Sequence, residues 1–135
     1  MEGGLLLIGG GGHCRSVIDV LERTGLPIAG IVQGEGCLAE SVFNYPTLGQ
    51  DADLNGLRSR YTQALVTVGQ IKSPEIRIRL FCLLCDLGFQ LPVIVSPLAR
   101  VSPHAQLGAG TIVMHHAMVN AGAVVGENCI INTIR

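Results

Sequence analysis

The last quarter of this chain repeats every six residues. From Val101 it divides into VSPHAQ, LGAGTI, VMHHAM, VNAGAV, VGENCI and INTIR, and each block opens on an aliphatic residue: Val101, Leu107, Val113, Val119, Val125 and Ile131. Leu, Ile and Val make up 42 of the 135 residues, so six out of six in one phase has a chance on the order of one in a thousand. Four places later stands a small residue: Ala105, Thr111, Ala117, Ala123 and Cys129. Strands alternate with period two and helical faces repeat near 3.6, so neither produces a six. A parallel β-helix does, each hexad supplying one flat side and its corner. The aliphatic residue then points into a narrow prism, and the small one leaves room at the turn. The residue before each inward aliphatic points outward: Ile112, Met118, Val124 and Ile130. Ile112 and Ile130 lie one full turn of a three-sided coil apart and should stack on one face. Exposed apolar ladders need cover. The expectation is that another subunit covers this one.

The first three quarters read differently. Gly4 to Ile8 is a short aliphatic run bounded by glycines, a buried strand. Four glycines, Gly9 to Gly12, follow at once, and from Arg15 the apolar spacing is helical through Val17, Ile18 and Leu21, with Thr24-Gly25 as the stop. Pro27 to Val32 is a second strand. Strand, glycine turn, helix, strand opens a nucleotide-binding α/β unit. A loop is expected from Gln33 to Gln50, then a weak helix from Asp51 to Arg60 and a third strand from Ala64 to Val68 that ends in Gly69-Gln70. Ser73 suits a helix N-cap and Pro74 the first helical position, and that helix should run to about Leu87 and stop at Gly88. Leu91 to Val95 is expected as a last strand. Residues 1–97 thus form one α/β module and residues 98–135 the hexad module.

A glycine turn that opens a helix frees backbone amides for an anion, phosphate above all. The full dinucleotide fingerprint is not met. Counting from Gly9, the second glycine is Gly11 but Cys14 holds the third place; counting from Gly10, they are Gly12 and Arg15. The acidic residue that would hold a ribose after the second strand is replaced by Gln33 and Gly34, with Glu35 close by. NAD chemistry is therefore the weaker functional reading and a pyrophosphate-bearing ligand the better one, beside a tight turn that binds nothing. His13 sits at the mouth of the turn. It either donates to phosphate or a sugar hydroxyl, or faces solvent.

Other constellations carry less. Cys82 and Cys85 make a CxxC spacing deep in a helix beside Phe81, Leu83 and Leu84, where core packing is expected rather than redox chemistry. No second CxxC and no His pair at ligand spacing stands in the sequence, so no metal is expected. A histidine in a hexad corner can serve as a general base. His104, His115 and His116 occupy corners, but His104 and His116 lie two hexads apart, on different sides of a three-sided prism. Five scattered cysteines argue against a disulfide framework. A net charge of −1 leaves no footprint for nucleic acid or an anionic membrane. The apolar run Leu5 to Ile8 is too short for a signal peptide or a membrane span. A cytoplasmic protein is the expectation.

Five stretches together resemble the hexapeptide-repeat sugar acetyltransferases, the group of sialic acid O-acetyltransferases and UDP-amino-sugar N-acetyltransferases. They are LLLIGGGGHCRSVIDVL, YPTLG, VTVGQ, SPLARVSPHAQLGAGTIVM and VGENCIINT. The resemblance implies a small Rossmann-like domain that holds a nucleotide-activated sugar, followed by a left-handed parallel β-helix. It further implies a homotrimer, here through the face with Ile112 and Ile130, with acetyl-CoA as co-substrate between neighbours. Gly9, Gly11, Gly12 and His13 would face the nucleotide sugar, and Gln33, Gly34 and Gln70 would line the same pocket. In the family a histidine a few residues after the INT motif is the base that readies the acceptor. Here Ile131-Asn132-Thr133 is followed by Ile134 in place of Gly and then by Arg135, so the expectation is a chain without that base, with Asn132 the remnant of the acceptor site. An acetyltransferase and a non-catalytic nucleotide-sugar-binding module are the two functions that follow.

Overall fold

The computed structural model describes residues 3–37, 39–69 and 74–132. It opens with strand β1 (Leu5–Ile8), helix α1 (Gly12–Thr24) and strand β2 (Ile28–Gln33). Then come β3 (Ser41–Val42), β4 (Tyr45–Gln50), a 3-10 turn at Asp51–Asp53, α2 (Leu54–Leu57), β5 (Gln63–Val66) and α3 (Glu75–Asp86). These strands form one sheet in the order β3-β4-β2-β1-β5. All neighbours are parallel except the short β3-β4 pair.

β1 sits at the centre and is buried on both faces, which is why its sequence is an unbroken aliphatic run. Alternation sends Leu5 and Leu7 to the core under α1, and Leu6 and Ile8 to the core under α2 and α3. α1 supplies Cys14, Val17, Ile18 and Leu21 from one stripe and ends where Gly25 takes φ 78°, the left-handed C-cap glycine. The fold is mixed α/β with a Rossmann-like N-terminal parallel sheet.

Three expectations change here. The stretch Gln33–Gln50 is not all loop: β4 pairs in parallel with β2, Ile31 opposite Thr47 and Gln33 opposite Gln50. Pro46 and Gly49 resemble turn residues, but β4 lies near the sheet edge, where a proline is tolerated. The segment Leu91–Val95 adds no strand to this sheet. Only Ile94–Val95 (β6) is a strand, and it pairs with the hexads. Cys82 and Cys85 are exposed, because α3 buries Arg77, Leu80 and Leu84 instead. Ser73 falls outside the described residues, and Pro74 itself is the N-cap of α3.

The hexads form six two-residue strands: β7 (Arg100–Val101), β8 (Gln106–Leu107), β9 (Ile112–Val113), β10 (Met118–Val119), β11 (Val124–Val125) and β12 (Ile130–Ile131). Each pairs in parallel with the strand eighteen residues away: Arg100 with Met118, Gln106 with Val124, and Ile112 with both Ile94 and Ile130. The inward set is the one the sequence phase gives, Val101, Leu107, Val113, Val119, Val125 and Ile131, joined by Val95 and the corner alanines in one cluster. Corners close through bonds from the amides of Ala99, Ala105, Thr111, Ala117 and Ala123 to the carbonyls three residues before them. Gly110, His116, Gly122 and Asn128, six apart, take positive φ at these corners.

The outward face through Ile112 is not free for a partner. Ile112 is fully buried and belongs, with Ile94 and Met114, to the core under α1, and Ile130 packs on the same cluster. The apolar ladder is therefore covered by the chain's own first helix, which satisfies the same demand for cover without a second subunit. The outward residues left exposed are Met118 (50%) and Val124 (75%).

Candidate functional site

The carboxyl end of β1 runs directly into the glycine turn, and the four glycines there have two different reasons to be glycine. Gly9 has φ 111°, and a Cβ on it would stand 2.4 Å from Val68 Cγ2. A Cβ on Gly10 would stand 2.4 Å from the amide nitrogen of Gln33. Gly9 is demanded by its positive φ and its packing, and a side chain at Gly10 would displace the buried end of Gln33. Gly11 and Gly12 have open space within 4 Å of where a Cβ would go, and neither has positive φ. Their missing side chains leave room in front of the turn rather than inside the fold.

α1 begins at Gly12 with Gly11 as N-cap, without a side-chain cap and without an acidic residue in its first turn. The first-turn amides of this 13-residue helix therefore point their partial positive charge at the cleft. The turn is held from beneath: the Gly9 amide donates to Val32 O at 2.8 Å, and Thr67 Oγ1 donates to Gly9 O at 2.7 Å.

In front of the turn lies a cleft of about 720 Å³, lined by Gly9 to His13, by Thr67, Val68 and Gly69 after β5, and by Ile130 and Asn132 of the hexads. The cleft thus sits on the seam between sheet and coil. His13 Nε2 is buried with no hydrogen-bond partner among the described residues. Burial, and then the nearby Arg77 charge, push its pKa down to about 4. Near neutral pH the ring is uncharged, able to donate one hydrogen bond and accept one, and a poor base.

Two further pockets adjoin. One of about 510 Å³ shares Gly9 and Val68 and is lined by Gly34, Glu35, Gln50, Asp51 and Arg79, among others. There burial raises the Asp51 pKa, Arg79 opposes the shift and Glu35 adds to it. The other, about 630 Å³, shares Asn132 and runs along Arg15, Asp19, Phe43, Met114 and His115.

The sequence candidates now have places. Gly9, Gly11, Gly12, His13 and Asn132 meet in the main cleft. Gly34 lines the smaller pocket beside it. Gln33 lines none of the three; it is 3% exposed beneath Gly10, with its side-chain amide nitrogen unpartnered among the described residues. Gln70 falls outside the described residues. His115 is not a solvated corner residue: its Nε2 lies 2.8 Å from Asp19 Oδ2 and its Nδ1 2.5 Å from Ser96 Oγ, tying the coil to α1. Sequence reasoning overlooked Arg77, a buried guanidinium on α3. It donates to the carbonyls of Val66 and Val68 and to both the carbonyl and the side chain of Asn128. An arginine in a helix of mixed composition gives no signal of burial. Among the described residues no group of His, Cys, Asp and Glu is arranged to hold a metal ion, and no helix is long and apolar enough to cross a membrane.

The Rossmann-like sheet and the parallel six-residue coils together match solved acetyltransferases over nearly the whole chain. The chain is similar to PerB from Caulobacter crescentus, solved in complex with CoA and GDP-perosamine, at 35% identity and a TM-score of 0.88 over 98% of this chain and 61% of that one. It is likewise similar to the acetyltransferase domain of PglB from Neisseria gonorrhoeae, solved in complex with acetyl coenzyme A, at 34% identity and a TM-score of 0.85 over 98% of this chain and 62% of that one. The chain belongs to the PglD N-terminal domain family, which matches residues 4–82. It spans about three fifths of the length of the solved structures it matches. Comparison with curated protein sequences gives no match.

Proposed function

We propose that this chain binds a nucleotide-activated amino sugar and presents it for transfer of an acetyl group from acetyl-CoA. One observation carries the reading: the uncapped α1 N-terminus opens, across two glycines that packing does not require, onto a cleft closed by Asn132 from the coil. Backbone amides there would take the pyrophosphate. Neutral His13, its Nε2 unpartnered, would hydrogen-bond to phosphate or sugar. Gly34 and Glu35 would line the pocket for the nucleoside on one side, and Asn132 the sugar end on the other. That PerB was solved with a GDP-sugar and CoA, and PglB with acetyl coenzyme A, supports the substrate pair.

In the transfer the sugar amine attacks the thioester carbonyl, the C–S bond breaks and CoA leaves as its thiol. A base must take the proton that the amine gives up. His13 is too weak a base, and both ring nitrogens of His115 are engaged. His104 and His116 line none of the three pockets. No described histidine therefore serves as the base in this reading, and the part of His13 and Asn132 is to bind and orient the acceptor.

We assign residues 1–97 to the sugar-binding module and 98–135 to the opening of a left-handed β-helix, with β6 (Ile94–Val95) at the end of the first stretch already pairing into the coil. The eighteen-residue strand register and the turn every six residues support the β-helix. The homotrimer reading is kept with different contacts, the two sides of the coil that carry the exposed Met118 and Val124. Five free cysteines suit a cytoplasmic setting.

Calorimetry with GDP- and UDP-amino sugars, followed by a thiol-release assay with acetyl-CoA, tests the function. Binding with thiol release supports the enzyme. Binding without it supports the second reading, a sugar-binding module. Absence of binding to any nucleotide sugar refutes both.

A further inference from the structure

One of the contacts across the seam that forms the cleft is a buried side chain with no acidic partner among the described residues. Arg77 is 2% exposed, and no carboxylate among the described residues pairs with it. Its charge is met by dipoles instead. Nη1 donates to Val68 O at 2.6 Å and, less directly, to Val66 O at 3.4 Å, while Nη2 donates to Asn128 O and to Asn128 Oδ1, both at 2.8 Å. Asn128 returns the contact, its Nδ2 donating to Arg77 O at 3.0 Å. A buried arginine satisfied this way sits at a fixed distance from both bodies it touches, since its planar fork admits few arrangements. Here one body is the end of β5, which continues into the cleft wall at Val68 and Gly69. The other is a coil corner four residues before Asn132, where Asn128 has φ 57°.

We propose that Arg77 is a positioning residue for the ligand cleft, clamping the β5 side of the cleft to the Asn132 side through Asn128 and so setting the width across which the ligand is held. The proposal rests on the cleft being a nucleotide-sugar site, but its ligand-free consequences do not. The same guanidinium contributes, after burial, to the depressed pKa of His13, so its charge and its clamp are separable by mutation. Arg77→Met removes both. Arg77→Lys keeps the charge but cannot span both sets of acceptors. Asn128→Gly removes the side-chain half of the clamp, keeps Arg77, and is at ease with the positive φ.

Three readouts test this on the full chain: the His13 titration midpoint by NMR, the amide shifts of Gly69 and Asn132, and calorimetric binding of GDP and UDP. The midpoint should rise partway towards the ordinary imidazole value in Arg77→Met and stay low in Arg77→Lys and Asn128→Gly. The Gly69 and Asn132 amides should move in all three variants. Binding should weaken at least about tenfold in Arg77→Lys and Asn128→Gly, the loss of about one charge-assisted hydrogen bond. If Arg77→Met fails to fold, the other two variants carry the test. Unmoved amides, or binding within about twofold of the parent in both milder variants, overturn the clamp. If the parent binds neither nucleotide, the functional reading falls, and the amide shifts alone decide whether the clamp stands.

Discussion

Gly12→Ala separates a glycine kept for a ligand from a glycine kept for the fold. Gly12 is the first residue of α1, has no positive φ, and would meet nothing within 4 Å if given a Cβ. Alanine is favoured over glycine in a helix by up to about 1 kcal/mol, less in the first turn, so the variant should fold and melt level with the parent or a few degrees above it. The same methyl stands where an anion would approach the first-turn amides. Displacing a pyrophosphate oxygen from one amide forfeits a charge-assisted hydrogen bond, about 1.5–3 kcal/mol. That is roughly a 10- to 150-fold loss of affinity. Gly9→Ala is the matching control: with φ 111° and Val68 Cγ2 2.4 Å from the new carbon, it should lower the melting temperature by several degrees or prevent folding. Calorimetry with a GDP- or UDP-sugar, paired with thermal melts, reads both axes. A Gly12→Ala protein that melts normally and binds as tightly as the parent would refute the cradle.

Three other outcomes follow from the packing and the charges. His13 has an ordinary pKa of 6.5 and a folded value of about 4, so between those values the unfolded chain binds a proton that the folded chain excludes. That share of stability, on the order of 2–3 kcal/mol, is complete above pH 6.5 and is lost as pH falls towards 4; His13→Asn should flatten the melting temperature over that window, and an unchanged slope would contradict the burial argument. Ile112→Ala should cost about 2–5 kcal/mol in denaturant unfolding, because the side chain is fully buried under α1; a cost under about 0.5 kcal/mol would mean that the coil does not pack there. Met118→Lys with Val124→Lys should leave the melt of a monomer unchanged and, in light scattering, reduce a trimer to monomers; a trimer that persists would exclude contact through these two sides of the coil.

The legible parts of the chain were those where one residue type has one use. The hexad phase is read from aliphatic residues that point into a prism too narrow for anything larger, and every inward position it names lies in one cluster. β1 and α1 were legible for the same reason, an unbroken aliphatic run and a helical stripe closed by Gly25. β4 was not, because Pro46 and Gly49 look like turn residues and only its partner β2 makes it a strand. The apolar ladder at Ile112 and Ile130 was read correctly as needing cover and wrongly as covered by a second subunit. Periodicity says which way a side chain points, and it says nothing about which neighbour lies there. Within the site, Gly9 to His13 were visible as a motif, whereas Arg77 was not, since all but one of its acceptors are backbone carbonyls, which carry no sequence.

The corrected ladder also changes what the coil does for the cleft. If Ile112 and Ile130 faced another copy, Asn132 would be placed by assembly alone, and an isolated chain would have an unformed site. Instead Ile112 seats the coil on α1, His115 ties to Asp19 on that helix, and Arg77 ties Asn128 to the end of β5. Three contacts of different chemistry fix the coil against both walls of the cleft. Each acts within one chain. The glycine turn, His13 and Asn132 therefore hold their spacing before any partner arrives, and sugar binding should survive dilution to monomers even where acetyl transfer does not. A nucleotide-sugar affinity that falls in step with dissociation of the oligomer would show that the seam is not set by these contacts.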